Sequence, residues 1–312
     1  MRNAFAAAIT ELAQIDPRIV LLSGDIGNRL FDKFKDKSPD RFYNCGVAEA
    51  NMTGVAAGMA MCGLRPLTYT ITPFGTTRVL EQIRVDICYH NVPVTIVGTG
   101  SGLSYASLGP THHSCEDVAL MRVLSNMTVV CPADSMEVRP ALEAILKLDG
   151  PAYLRLGKKG EPAVHAKPPK FEIGRVIPMR EGNEVCILGM GTMVSVGLKA
   201  AELLEKDGVS AKVVSFHTVK PLDDEFLAEA FKKFSVVAVI EEHSRIGGLG
   251  SAVGEWLTAN RIATGALAEF GTPDIFMHEA GSQEYARERF GLTGPAIAAE
   301  LLKLHRIARK SS

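Results

Sequence analysis

GVAEANMTGVAAGMAMCGLRP, residues 46–66, decides how the chain reads. It begins where a strand-like run, RFYNCG (41–46), ends, and sets one acid, Glu49, at the head of a helical segment, 48–62. It closes at Arg65-Pro66, where the next strand-like run, RPLTYTI (65–71), begins. Strand, helix and strand in so short a span form one crossover of a parallel sheet. The helix is rich in small residues: Gly54, Ala56, Ala57, Gly58 and Ala60. Glycine weakens a helix unless something packs close to it, so a tight helix–helix contact is expected, inside one core or between subunits. An acid at a helix N-terminus ordinarily serves the peptide dipole. The ends of strands in an open α/β sheet are also where ligands bind, so Glu49 has a second possible use.

The same rhythm extends on both sides. RIVLLSG (18–24), VPVTIVG (92–98), NMTVVCP (126–132) and PAYLRLG (151–157) are short apolar runs bounded by turn formers, with helix-length segments at 75–90, 116–123 and 134–147. Strands apolar on both faces imply a parallel sheet covered by helices on each side. The polar stretch KKGEPAVHAKPPKFEIG (158–174), with Pro162, Pro168 and Pro169, breaks the pattern. Alternation resumes with EVCILG (184–189), SAKVVSFH (210–217), SVVAVIEE (235–242), GALAEFG (265–271) and a last helix near 294–309. The expected fold class is therefore α/β, with two doubly wound domains: 1–160, a linker at 161–178, and 179–312.

The 312 residues carry 34 basic and 35 acidic side chains and no basic block, which argues against nucleic acid or an anionic membrane as partner. Six cysteines are widely spaced without a Cys-x-x-Cys pair, as expected of reduced, buried thiols in the cytoplasm. The N-terminus reads as an amphipathic helix rather than a signal peptide, and no apolar run approaches membrane-spanning length. Gly189-Met190-Gly191 lacks the third glycine of a dinucleotide fingerprint, because Val194 stands there. Gly247-Gly248-Leu249-Gly250 could form an amide nest for an anion or simply pack closely. In LGPTHHSCEDVALMR (108–122), His112 and His113 sit on a loop entering a helix, without the i, i+4 spacing of a helical zinc site. Glu49, TPFGTTR (72–78) and the loop 98–115 all fall at strand ends and could converge on one pocket.

Taken in order, GVAEANMTGVAAGMAMCGLRP, TPFGTTRVLEQIRVDICYHNVPV and LGPTHHSCEDVALMR resemble the pyrimidine-binding domain of the transketolase family, which includes the deoxyxylulose-phosphate synthases. VSFHTVKPLD and VIEEHSRIGGLGSAVGE resemble that family's C-terminal domain, so the likeness covers nearly the whole chain. The resemblance implies thiamine diphosphate as cofactor. In this family a glutamate hydrogen-bonds the cofactor's aminopyrimidine, which gives Glu49 its second use; a low dielectric strengthens such a bond. By the same resemblance Phe74 stacks on the pyrimidine, Arg78 lies beside it, and Asp25 of SGDIGN lies near the cofactor at a subunit boundary. His112 contacts substrate and shuttles protons, with His113, Arg155 and Lys158 as further substrate-facing groups.

Several departures from the family pattern carry weight. Leu108 and Gly100 stand where transketolase has an aspartate and a donor-sugar histidine, and Lys158 where an arginine grips phosphate. The Gly-Asp-Gly signature that holds the diphosphate and Mg²⁺ is absent; GDIGN (24–28) is the closest string and belongs to the pyrimidine domain. The resemblance thus implies the beta-like subunit of a split enzyme. It would form an α₂β₂ heterotetramer with a separate diphosphate-binding chain that supplies most of the Mg²⁺ site. The substrate would be a sugar or a 2-oxo acid bearing fewer hydroxyls near positions 100 and 108. A 2-oxoacid dehydrogenase beta chain and a non-catalytic interaction subunit are the alternatives.

Overall fold

The computed structural model describes residues 1–27 and 29–311; Asn28 of the GDIGN string lies outside the described residues. Among the described residues twelve strands follow one another: β1 (Ile19–Ser23), β2 (Phe42–Asn44), β3 (Arg65–Ile71), β4 (Thr95–Thr99), β5 (Thr128–Val130), β6 (Ala152–Leu156), β7 (Ile177–Arg180), β8 (Val185–Gly189), β9 (Ala211–Ser215), β10 (Thr218–Lys220), β11 (Val236–Ser244) and β12 (Ala266–Thr272). They form two sheets, ordered β10-β5-β6-β4-β3-β1-β2 and β12-β11-β8-β9-β7. Every pairing is parallel except β10 with β5 and β7 with β9. All residues of β1, β4, β6 and β8 are buried, as expected of strands roofed by helices on both faces. The chain is thus the expected α/β protein with two mainly parallel, doubly wound sheets.

The two antiparallel edges lie outside the sequence reading. SAKVVSFH reads as one strand, but the chain turns after Ser215, and Thr218–Lys220 leaves the second sheet to pair with Val129 and Val130 of the first. His217 carbonyl accepts from Cys131 N–H at 2.6 Å, extending this graft. The segment expected as one helix over 75–90 is also broken. A single turn, Thr72–Gly75, carries Pro73 as its second residue; Thr76 then departs from helical geometry and donates its hydroxyl to Thr72 carbonyl at 2.7 Å. Leu80–Gln82 resumes the helix, and Ile83–Tyr89 continues it as wide turns of π type. Residues 1–15 behave as expected: the helix Arg2–Ile15 buries Phe5, Ile9 and Ala13.

One apolar cluster runs through both sheets, from Leu22 and Met52 through Val129 and Tyr153 to Val214, Phe216 and Val237. The sheets therefore share a core. None of the helices among the described residues is long and apolar enough to cross a membrane.

Candidate active site

The chain leaves β1 for β2 on one side and then returns to β3 on the other side of β1, so the strand ends diverge there. Such a switch point opens a crevice beyond the carboxyl ends of the strands. Glu49 stands in it as the first residue of the helix Glu49–Met61, and its side chain is 3% exposed. Gly24, just past β1, makes room for it. A Cβ at Gly24 would sit 2.9 Å from Thr70 Oγ1 and 3.6 Å from Glu49 Cγ. Burial of a carboxylate calls for a partner. Arg78 supplies one: its Nη1 donates to Glu49 Oε2 at 3.1 Å. The same guanidinium lies 4.1 Å from the centroid of the Phe74 ring, a cation–π contact.

Phe74 in turn meets the His112 ring edge-on, with centroids 5.2 Å apart. His112 Nδ1 hydrogen-bonds Thr111 Oγ1 at 2.9 Å, and its ring touches Tyr105, whose centroid is 6.0 Å away. Lys158, just beyond β6, places its ammonium 4.4 Å from the Tyr105 centroid. Glu49, Arg78, Phe74, His112, Tyr105 and Lys158 thus form one continuous row along the strand ends. Phe74, Arg78, Pro110, Thr111 and His113 line a cleft of about 720 Å³, closed on its far side by Thr272–Met277 of the second domain. Burial lowers the His113 pKa from its ordinary value, and its Nε2 is buried without a hydrogen-bond partner.

Two expected site residues lie apart from this row. Asp25 is exposed, in a left-handed conformation (φ 55°), and accepts from Asn44 Nδ2 at 2.9 Å. Arg155, expected to face substrate, is instead buried and committed. It donates to Asp117 at 2.7 and 3.1 Å, to Ser114 carbonyl at 3.1 Å and to Glu242 carbonyl at 3.0 Å. Burial opposes its charge, yet the Asp117 carboxylate more than offsets that and holds its pKa above the ordinary value. Arg155 therefore ties β6 to the second domain. The amide nest at 247–250 is likewise filled from within: Glu241 accepts from Leu249 and Gly250 N–H at 2.8 and 2.9 Å. Burial pushes the Glu241 carboxyl up to about 7.

Tyr105 and the 272–277 loop escaped the sequence reading. A lone aromatic inside a glycine-rich loop was the available sign of the first, and the exposed apolar run Ile275-Phe276 of the second.

The arrangement offers a flat aromatic face, a guanidinium and the His113 imidazole on a cleft, with the buried Glu49 carboxylate and the His112 imidazole packed against them. A planar, nitrogen-bearing ring fits these groups. The class is therefore an α/β chain of two mainly parallel sheets with a candidate site at the strand ends of the first. Residues 1–161 match the family described as "Transketolase, pyrimidine binding domain" and residues 174–297 the one described as "Transketolase, C-terminal domain". The chain is 39% identical to the 6-deoxy-6-sulfo-D-fructose transketolase subunit SqwH of Clostridium sp. (strain MSTE9), across 95% of this chain and 92% of that one. It is 30% identical to a subunit of the apulose-4-phosphate transketolase of Phocaeicola vulgatus, across 95% and 96% of the two chains. A solved structure titled "Split gene transketolase, inactive beta4 tetramer" superposes with a TM-score of 0.88 at 38% identity, covering 98% of this chain and 97% of that one. The chain belongs to the transketolase family, whose members are thiamine-dependent transferases. Within it, this is a transketolase-type subunit of the split kind; the comparisons do not favour the 2-oxoacid dehydrogenase alternative.

Proposed function

We propose that the chain is the beta-like half of a two-chain, thiamine-diphosphate-dependent transketolase of the cytoplasm, acting on ketoses with an anionic tail. Its partner is a diphosphate-binding chain in an α₂β₂ assembly, and that chain holds most of the Mg²⁺ site. The observation that carries the reading is the buried Glu49 carboxylate, set at the switch point and hydrogen-bonded by Arg78 beside Phe74. Subunit names among the relatives support a two-chain enzyme, and six unpaired cysteines support a reducing compartment.

When bound, thiamine diphosphate supplies the carbanion chemistry of two-carbon transfer. Glu49 would hold a proton at the ring nitrogen it faces, in a low-dielectric pocket where that hydrogen bond is strong. Phe74 would support the ring's face, and Arg78 would border it. His112, edge-on against Phe74, would hold or move a proton at the substrate's oxygens. Lys158 would attract the substrate's negative end.

The test is coexpression with the diphosphate-binding chain and a donor panel of xylulose 5-phosphate, fructose 6-phosphate, 6-deoxy-6-sulfofructose, pyruvate and hydroxypyruvate. Transfer from an anionic-tailed ketose to an aldehyde is expected. Turnover of pyruvate onto a lipoyl acceptor, with no ketose used, would overturn the proposal.

A further inference from the structure

The Tyr105 side chain has three neighbours that together define what it does. The first is an absence of side chain: Gly100, with φ +74°, leaves the space its ring occupies. A Cβ at Gly100 would stand 1.9 Å from Tyr105 Cε2 and 2.4 Å from Cδ2, so any larger residue there would expel the ring. The second is His112, whose ring packs edge-on at 62° and 6.0 Å. The third is Lys158, whose ammonium lies over the ring face at 4.4 Å. Tyr105 itself is 8% exposed and fixed in the loop after β4, the strand that neighbours β6 and its C-terminal Lys158.

Lysine carries a strongly hydrated point charge on a flexible stem, and left free it would sample many positions. Among the described residues Lys158 forms no ion pair; the aromatic face is what holds its charge near the site. An ammonium fixed this way, without a carboxylate to neutralise it, remains available to an anion. It also stands one ring away from the His112 imidazole.

We infer that Tyr105 is a positioning residue: its ring holds the Lys158 ammonium and the His112 imidazole along one wall, so that ketoses ending in a tetrahedral anion, sulfonate or phosphate, are selected over uncharged ones. This rests on the two-carbon transfer proposed above. It goes beyond it in assigning the selection to a residue that need not touch the substrate. The space that a side chain at position 100 would take is given to the ring that steers the charge.

Two measurements test it. In the reconstituted enzyme, the preference is the ratio of kcat/KM for 6-deoxy-6-sulfofructose or fructose 6-phosphate to that for uncharged erythrulose. Tyr105→Phe, which keeps the ring face, should retain this preference. Tyr105→Leu and Lys158→Gln should each lower it about tenfold, the scale of one desolvated cation–π contact, and the double variant should fall no further. Different losses with the sulfonate and phosphate donors would show which tail the wall fits better. Separately, reductive ¹³C-methylation of the lone chain should give an upfield, ring-shifted Lys158 signal, assigned by its loss in Lys158→Gln. Tyr105→Phe should keep that shift and Tyr105→Leu abolish it. A Tyr105→Leu enzyme that retains the preference, or an unshifted Lys158 signal in the wild type, would overturn the inference. A wild-type enzyme that transfers from no ketose would overturn the proposed function and the selection with it, while the lysine signal still reports on the ring contact.

Discussion

The Arg78 guanidinium donates to the Glu49 carboxylate across 3.1 Å, joining the helix after β2 to the turn after β3. Glu49 is buried whereas Arg78 is about half exposed, so the acid is held in place and its partner has one side free. An Arg78 that swings aside would leave a Glu49 acceptor oxygen free for another donor. This pairing frames the first two expectations.

Glu49→Gln should fold normally, because it keeps the shape of the side chain, and should lower kcat by roughly 10²–10⁴-fold, the range of a lost general acid–base contact. Thermal melts and turnover of the reconstituted pair check both halves. Activity within a few-fold of wild type would reduce Glu49 to an acid that merely suits a helix end.

Arg78→Lys should weaken cofactor binding in the assembled enzyme despite keeping the charge. Lysine cannot present a planar group both to the carboxylate and to the Phe74 ring. Titration of thiamine diphosphate into the reconstituted enzyme measures this, and unchanged affinity would remove Arg78 from the cofactor's surroundings.

His112→Ala should depress kcat more than cofactor affinity, since its ring lies between Phe74 and Tyr105 in the row proposed to face substrate. His113→Ala should cost less turnover. The reverse order would assign the substrate-facing role to His113.

Gly100→Ala should destabilise the chain by about 1–3 kcal/mol, from a strained left-handed backbone and a displaced Tyr105. Gly100→His, which adds the side chain transketolase carries there, should be worse. Chemical denaturation of the lone chain reads both, and a neutral Gly100→Ala would mean that the tyrosine ring has somewhere else to go.

Acid should weaken the fold through two buried imidazoles. Burial depresses His217 to about 3 and His243 to about 4, below their ordinary 6.5. The unfolded chain therefore binds more protons, and their contribution, complete above pH 6.5, is lost as pH falls toward 4 and then 3. At pH 5 each imidazole should have given up about 2 kcal/mol. His217→Gln should flatten the fall in melting temperature between pH 7 and 5, and an unchanged slope would assign the acid sensitivity elsewhere.

The buried strands were legible because apolar runs between turn formers have few other uses, and so was the helix 48–62, but the close contact expected at its glycines is not made within this chain: a Cβ at Gly58 would meet nothing within 4 Å, and one at Gly54 only Asp86 Oδ2 at 3.8 Å. The break at Thr76 was not legible: it comes from a hydroxyl bonding back to Thr72 carbonyl, which no periodicity records. The strand β10 was hidden for a similar reason, since three residues change sheets only because β5 offers a free edge. Lys158 was readable as a charge at a strand end, but Tyr105 was not, because its importance lies in where Gly100 lets its ring go. Arg155 shows the opposite failure. A basic residue near a strand end looks available until Asp117, buried and invisible in sequence as its partner, claims it.

The grafted strand Thr218–Lys220 also bears on how the protein is made. As the chain leaves the ribosome, residues 1–156 emerge with six of the first sheet's seven strands, and the β5 edge stays bare until residue 220 follows. Throughout that interval the nascent sheet carries an open row of amide and carbonyl groups, the kind of edge that recruits foreign strands. A protein cut within the linker would keep that edge permanently, whereas a cut placed after Lys220 would leave it capped.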